Sequence, residues 1–349
     1  MVAQTTLVTE FMKIFLKYLL LFIGALLWVV GCVPTFRKTA FEWGLTKDSY
    51  RYGDLYRLSN LPQFKQEQLP CNNTPRFDSP TDSTALYIIG DSFTEHQRVG
   101  KQDFNVGAYT RVHWNEAETI QLDTSRRNVL VLQTVERHFR EHFATEVRNF
   151  TLGPKQQKIS GFSFETWVAE VYQSFEETLK ESEESLASFL FSGDIFLTLK
   201  EWKANLNLQW FGRHSDQVAL SPDKTQLLFV WDTDSSRITS SFKLLPDKEL
   251  KTLIKQVNQT RDYYKSLGFD EVYLSIIPNK TSIVASNLGP YNHLIERVQR
   301  DSTLQVPFID VWTPYSQRPT TVYSLSDTHW SCTGLAIWLE KVNGIISAL

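Results

Sequence analysis

Apolar residues fall along this chain in two alternating kinds of run. The short, dense kind comprises "ALYII" (85–89), "NVLVLQ" (128–133), "EVYLSII" (271–277) and "PFIDVW" (307–312). Runs of this length, nearly free of charge, predict strands covered on both faces. The second kind repeats every three to four residues. Leu250, Leu253, Ile254 and Val257 share one helical face, and Gly268 stands where a C-terminal cap belongs. Leu335, Trp338, Leu339 and Val342 do the same for a last helix over 333–347. "VERHFREHF", directly after the 128–133 run, and residues 291–300 complete the helical set, and a further short β segment is expected over 104–112. Strands alternating with helices imply right-handed crossovers and a mainly parallel sheet. The expected fold is α/β, a three-layer α/β/α sandwich.

Two stretches break the alternation. Residues 35–83 are polar, spotted with aromatics and rich in turn formers, and read as a stalk and wrapping segment. Residues 150–246 read as an insertion, with a long helix over 165–190 whose charge run, 176–184, forms a solvated face, and a local hairpin strand at "LLFVW", 227–231. The expected organisation is an anchor or signal segment (1–34), the stalk (35–83) and an α/β domain (84–349) holding that insertion. At the N-terminus, Lys13 and Lys17 precede an apolar run from Tyr18 to Val33. A positive flank followed by a hydrophobic stretch is the layout of a secretory signal or an anchor. Counted from Phe15 with Lys17 snorkelling, the run reaches the roughly 20 residues a spanning helix needs. "VVGC" resembles a lipoprotein cleavage box of bacteria, with Cys32 as the lipidated residue. An uncleaved anchor and a lipoprotein both stay open, and plain secretion stands third. All three place the rest of the chain outside the cytoplasm, with the lysine side held inside.

Composition narrows the function. The 349 residues carry a net charge of −3 and no basic stripe, which argues against nucleic acid. Aromatics make up 13% of the chain and supply a bulky core, with a sugar-stacking cleft as the alternative use. Cys32, Cys71 and Cys332 match no zinc spacing, and His113, His138, His142 and His214 show no ligand spacing either, so neither metal nor cofactor is expected. Cys71 and Cys332 can pair outside the cytoplasm. Nothing in the sequence brings them together, so they are read here as two thiols.

The chemistry starts at "IIGDSFTEH". In a parallel α/β sheet functional groups collect at the carboxyl ends of strands. Gly90 permits a tight turn there, and Ser92 follows as a candidate nucleophile, its backbone N–H available to an oxyanion. A hydroxyl needs a base at neutral pH. "SDTHWSCTG" supplies one: His329 follows the last expected strand and precedes the last helix, on the same edge as Ser92. Asp327 would fix the imidazole tautomer, with both side chains pointing the same way if this stretch is extended. Other residues at strand ends that could contact substrate are Arg137, Asn279 and Lys280. Trp330 could serve as a sugar platform or pack on the last helix, and His96 is a weaker contact candidate.

"GDSF" after a first strand, with an Asp/His element before the last helix, resembles the SGNH/GDSL hydrolase superfamily. "DTHW", with one residue between Asp and His, is similar to the alginate O-acetylation proteins of bacterial envelopes. The resemblance implies the catalytic set Ser92, His329 and Asp327, and an oxyanion hole completed by a glycine and an asparagine. Gly107 is the stand-in for the glycine, and Gln133, or Thr134, for the asparagine. The order departs from the alginate proteins, since here the Asp/His element comes last, as in ordinary SGNH esterases. Three functions follow. The first is an O-acetyltransferase acting on an envelope or exported polysaccharide, served by a membrane-bound acyl-donor protein. The second is a carbohydrate esterase using the same triad. The third is an inactive glycan-binding scaffold. The implied location is the periplasmic side of a bacterial envelope, attached to the membrane.

Overall fold

The computed structural model describes residues 2–32, 82–153 and 194–348, most of 52–77 and isolated residues elsewhere. The long helix expected over 165–190, its charge run and most of residues 35–51 lie outside the described residues. The chain divides into two compact units, Met1–Ser49 with Lys158–Leu206, and Tyr50–Gln157 with Asn207–Leu349.

The first unit contains helix α1 (Val2–Cys32). Within it Phe11–Gly31 is long and apolar enough to cross a membrane. At 1.5 Å per residue its 21 residues reach about 31 Å, the thickness of a bilayer's hydrocarbon core. Its side chains are almost all exposed, as an anchor or a signal sequence requires. Cys32, the lipidation candidate, closes this helix.

The second unit is built on β1 (Thr84–Gly90), β2 (Ala108–His113), β4 (Arg127–Val135) and β8 (Glu271–Ile277), all parallel, in the order β2-β1-β4-β8. The pleat of β1 explains the dense apolar runs. Ala85, Tyr87 and Ile89 point into one core with Leu130, Leu132 and Leu250, Leu253, Ile254 and Val257 of the 247–266 helix. Leu86 and Ile88 point into the other with Val129, Val131 and Leu335, Trp338, Leu339 and Val342 of the 332–348 helix. Helix α2 (Glu136–His142) follows β4 directly. Helix α3 (Asp194–Phe211) precedes α4 (Asp247–Ser266), and α5 (Lys280–Val284), α6 (Leu294–Arg300) and α7 (Cys332–Ala348) complete the described helices that position the site. Two small ribbons stand apart: β3 (Glu118–Ile120) with β5 (Phe150–Leu152), and β6 (Val218–Leu220) with β7 (Leu227–Phe229).

Most expected elements lie where the pattern puts them, and the differences have local causes. The 307–312 run forms one parallel bridge, Leu274 with Phe308, and then leaves the sheet. Pro307 has no N–H to give, and the Asp310 carboxylate takes the Thr313 N–H at 3.1 Å, starting a helical turn. α6 begins at Leu294 rather than 291 because His293 is left-handed, with φ 54°. Gly268, with φ +100°, ends α4 as a C-cap glycine should. β2 starts at Ala108, because Lys101–Asp103 closes a 3₁₀ turn with the Asp103 carboxylate on the Gly100 N–H at 2.8 Å.

The reading of Cys71 and Cys332 as thiols is overturned. They form a disulfide across 261 residues, tying the wrapping segment to the first residue of α7. Burial of residues far apart in sequence brings them together, and no local pattern announces it. Closing so long a loop constrains the unfolded chain, and removing such a bond costs about 2–4 kcal/mol. Cys71→Ser should therefore lower the denaturant midpoint by an amount equal to that of reduction, with no further change when the variant is reduced.

Candidate active site

The strand order reverses between β1 and β4, because β2 lies on one side of β1 and β4 on the other. A crevice opens at the carboxyl end of such a switch point. Ser92 follows β1 there and Arg137 follows β4. Asp91 makes the turn between strand and serine. One of its oxygens accepts the Phe93 N–H at 3.0 Å and the Gln133 amide at 2.9 Å; the other accepts the Val135 N–H at 2.6 Å. Gln133 returns the contact, its Oε1 taking the Asp91 N–H at 3.1 Å and the Thr94 hydroxyl at 2.9 Å. From β2, Arg111 Nη2 donates to the Gly90 and Asp91 carbonyls at 3.0 and 2.7 Å. Three strands thus hold the serine turn. A Cβ on Gly90 would sit 2.1 Å from the Thr94 hydroxyl and 2.9 Å from Gln133 Oε1, so no larger residue fits.

His329 reaches this turn from the loop before α7. Its Nε2 lies 2.9 Å from Ser92 Oγ and its Nδ1 lies 2.6 Å from Asp327 Oδ1. The same Asp327 oxygen accepts the His329 backbone N–H at 2.7 Å. With a carboxylate at Nδ1, that nitrogen carries the proton and Nε2 turns a lone pair to the serine; this tautomer is assigned from the network. The Phe93 ring packs 4.8 Å from the imidazole. Asp327 is buried, which by itself would raise its pKa. The hydrogen bonds and charge of His329 outweigh burial and hold the carboxyl at about 2.

The loop carrying Asp327 is itself clamped. Lys280, fully buried, donates through Nζ to the carbonyls of Ser324, Leu325 (2.9 Å) and Asp327 (3.4 Å). From the wrapping segment, the Leu55 N–H reaches the Ser326 carbonyl at 3.3 Å and Gln66 Oε1 takes the Leu325 N–H at 2.8 Å. Ser326 Oγ donates to the Tyr52 carbonyl.

No family model, curated protein or solved structure matches this chain. What the site can do therefore rests on its own geometry. A hydroxyl bonded to an imidazole that is bonded to a buried carboxylate can be deprotonated as it attacks a carbonyl. The Ser92 N–H meets no acceptor among the described residues. The cleft in front of Ser92 holds about 490 Å³ and is lined also by His113, Asn115, Arg137, His138 and Thr328. A larger cavity of about 750 Å³ lies against Leu122, Leu152 and Leu267 at the opposite, amino-terminal edge of the sheet, away from any of these groups.

Several expected roles are corrected. Gly107 is not an oxyanion donor: its N–H pairs with the Thr84 carbonyl at 2.9 Å, at the start of β1 and the far end from Ser92. Gln133 is not one either, because its amide is spent on Asp91. Thr134 bonds His142 at 2.8 Å. Asn279 is fully buried, accepting the Arg137 N–H at 3.0 Å and donating to Ser241 Oγ at 3.0 Å, so it does not meet substrate. Lys280 is a loop clamp. Trp330 is buried edge-on to Phe93 at 5.1 Å and packs on Trp338 of α7. His96 is exposed and does not line the cleft. Arg137 does line it, held from behind by Asp232 at 3.3 Å and stacked 5.4 Å from the Phe229 ring. Beside it Glu136 is buried; that burial pushes its carboxyl up to about 7, against hydrogen bonds from Ser282, the Asn279 N–H and Tyr291. His142 stacks on Trp114 at 4.0 Å, and burial first, then the neighbouring His138 and His113, lower it to about 3, so it stays neutral. Among the described residues no three His, Cys, Asp or Glu side chains converge as a metal site. Asn115, two residues past β2, also lines the cleft and escaped sequence reasoning; its signal was an amide just beyond a strand on the serine's edge.

Acid should report on the Asp327 contact. Its folded pKa is depressed from 3.8 to about 2, so the unfolded chain binds more protons in that interval. The stability it contributes is complete above about pH 4 and disappears as the pH falls through about 2. Asp327→Asn should flatten this part of the acid limb in chemical denaturation at stepped pH, leaving the slope above pH 5 (about one unit clear of the window) unchanged.

Proposed function

We propose that this chain is a membrane-tethered serine acyl-transfer enzyme of the SGNH type, with a three-layer α/β/α sandwich, working outside the cytoplasm. The observation that carries the reading is the hydrogen-bonded chain from Asp327 through His329 to Ser92, at 2.6 and 2.9 Å. The two cores on opposite faces of the parallel sheet support the sandwich. The disulfide supports an oxidising compartment, and α1 supports a tether; the periplasmic side of an envelope combines the two.

In this mechanism Ser92 Oγ attacks an ester carbonyl while His329 Nε2 takes its proton. For the negative charge on the carbonyl oxygen we assign the Ser92 N–H, which meets no acceptor among the described residues, and the side-chain amide of Asn115, which lines the same cleft, in place of Gly107 and Gln133. As the intermediate collapses, His329 returns the proton to the departing alcohol or donor group, leaving an acyl-serine. His329 then takes the proton of the acceptor hydroxyl as it attacks the acyl carbon, and returns it to Ser92 Oγ as the acyl–serine bond breaks. We assign the acceptor as a hydroxyl of an envelope or exported polysaccharide, with acyl groups supplied by a membrane-bound donor protein. Arg137 remains the substrate contact. Water as acceptor gives the esterase reading, which the order of the motifs, serine first and Asp/His last, favours.

Ser92→Ala should reduce release from a chromogenic acetyl ester by about 10⁴-fold or more and abolish covalent labelling by an active-site phosphonate. Labelling absent from the wild-type chain would refute the nucleophile. Asn115→Ala should lower kcat by about 10²–10³-fold with labelling retained, as loss of one oxyanion donor does. Mass gain of acetyl groups on added oligosaccharides, compared with release into water, separates transferase from esterase.

A further inference from the structure

Helix α3 carries two apolar stripes on opposite sides. Leu197, Ala204 and Leu208 recur at spacings of seven and four and form its inward side, with Leu197 buried. Ile195, Leu199, Trp202, Leu206 and Trp210, at spacings of four, three, four and four, form the other. Four residues of that second side are exposed, Ile195 by 76%, Leu199 by 56%, Trp202 by 65% and Trp210 by 77%, and Leu206 is half-buried. A helix that packs on one side needs only one stripe. A row of aliphatic and indole side chains left in water marks a surface that something apolar covers.

We propose that α3 is an interfacial helix, which lays its Ile195–Leu199–Trp202–Leu206–Trp210 side into the same lipid surface that α1 enters. Three observations choose lipid as the occupant. First, α3 through Leu206 belongs to one compact unit with α1, whose Phe11–Gly31 segment is long and apolar enough to cross a membrane, so the unit presenting the stripe is tethered at a bilayer. Second, two of the five stripe residues are Trp, the side chain that settles at the boundary between headgroups and acyl chains. Third, exposed Lys203 lies beside the stripe, where it can meet lipid phosphates. Asp194, Lys200, Glu201 and Lys203, with Asn205 and Asn207 along the flanks, keep this helix from crossing the bilayer and fit it to lie in its surface.

The inference rests on α1 staying in the membrane, and the test separates the two. The full chain is placed in nanodiscs of phosphatidylcholine with a fraction of phosphatidylglycerol, prepared with and without bromine on the acyl chains. Tryptophan quenching by the brominated lipid is compared in the wild type, in Trp28→Phe and in Trp202→Phe/Trp210→Phe. Trp28 lies inside the α1 segment and reports on the anchor alone. The double substitution should remove about half or more of the lipid-quenchable signal, and Trp28→Phe a separate part of the remainder. A quenchable signal that Trp28→Phe lowers but the double substitution leaves unchanged overturns the docking of α3 while keeping the anchor. A signal that Trp28→Phe does not lower overturns the anchor, and the docking proposal with it.

Discussion

A buried carboxylate has to be met on both oxygens, and at Asp91 that demand organises the molecule. Its partners are the Gln133 amide and the Val135 N–H from β4, and the Phe93 N–H of the turn it caps. Hydrogen bonds to a charged group are each worth about 1.5–3 kcal/mol, so this turn cannot wander without leaving the carboxylate unpaired. The result is that Ser92 is presented at the one place in the sheet where neighbouring strands diverge. Arg111 adds the restraint from the other side by taking the two carbonyls the turn leaves over. The serine is held by its neighbours' hydrogen bonds and makes few of its own, which leaves its hydroxyl to the imidazole and its N–H open.

The second half of the site obeys the same logic with the opposite sign. Lys280 brings a buried ammonium to the end of β8, and the loop satisfies it with the carbonyls of Ser324, Leu325 and Asp327. Three carbonyls on one cation fix the course of a loop that has no regular structure. Tyr52, Leu55 and Gln66 from the wrapping segment fix its outer side. The disulfide then ties that segment to Cys332, three residues after His329. Two elements 237 residues apart meet at 2.9 Å because each is independently over-determined.

What was legible in the sequence is what periodicity carries. The dense run at 271–277 is β8 to the residue, and the helix faces of α4 and α7 are those the spacing named. That Ser92 would meet Asp327 and His329 was legible from two short motifs, one directly after β1 and one just ahead of α7, although the 307–312 run expected to place the second leaves the sheet. The surroundings of Gly107 and Gln133 were not. Gly107 precedes a strand, and which edge it occupies depends on the direction and register of pairing: Ala85 opposite Ala108 puts it at the amino end. Gln133 ends no strand, since β4 runs on to Val135, so its side chain turns back to Asp91 rather than out into the cleft. Asn279 and Lys280 do follow a strand, but their burial comes from residues 241 and 324–327, which no local pattern connects to them. The disulfide was missed for the same reason.

The one-residue gap between Asp327 and His329 shows how far the local geometry matters. An extended backbone would set both side chains on one side, but Thr328 and His329 form a bend. Instead Asp327 folds back on its own chain, one oxygen accepting both the His329 backbone N–H and the ring Nδ1–H. Asp is suited to this, because its short side chain reaches the N–H two residues on. The carboxylate therefore orients the imidazole twice, through the ring and through the backbone that bears it. Rotating the histidine away breaks the ring contact, and moving the backbone breaks the other, so either motion leaves a buried carboxylate short of a partner. With this spacing Asp327 serves as the turn that places the imidazole.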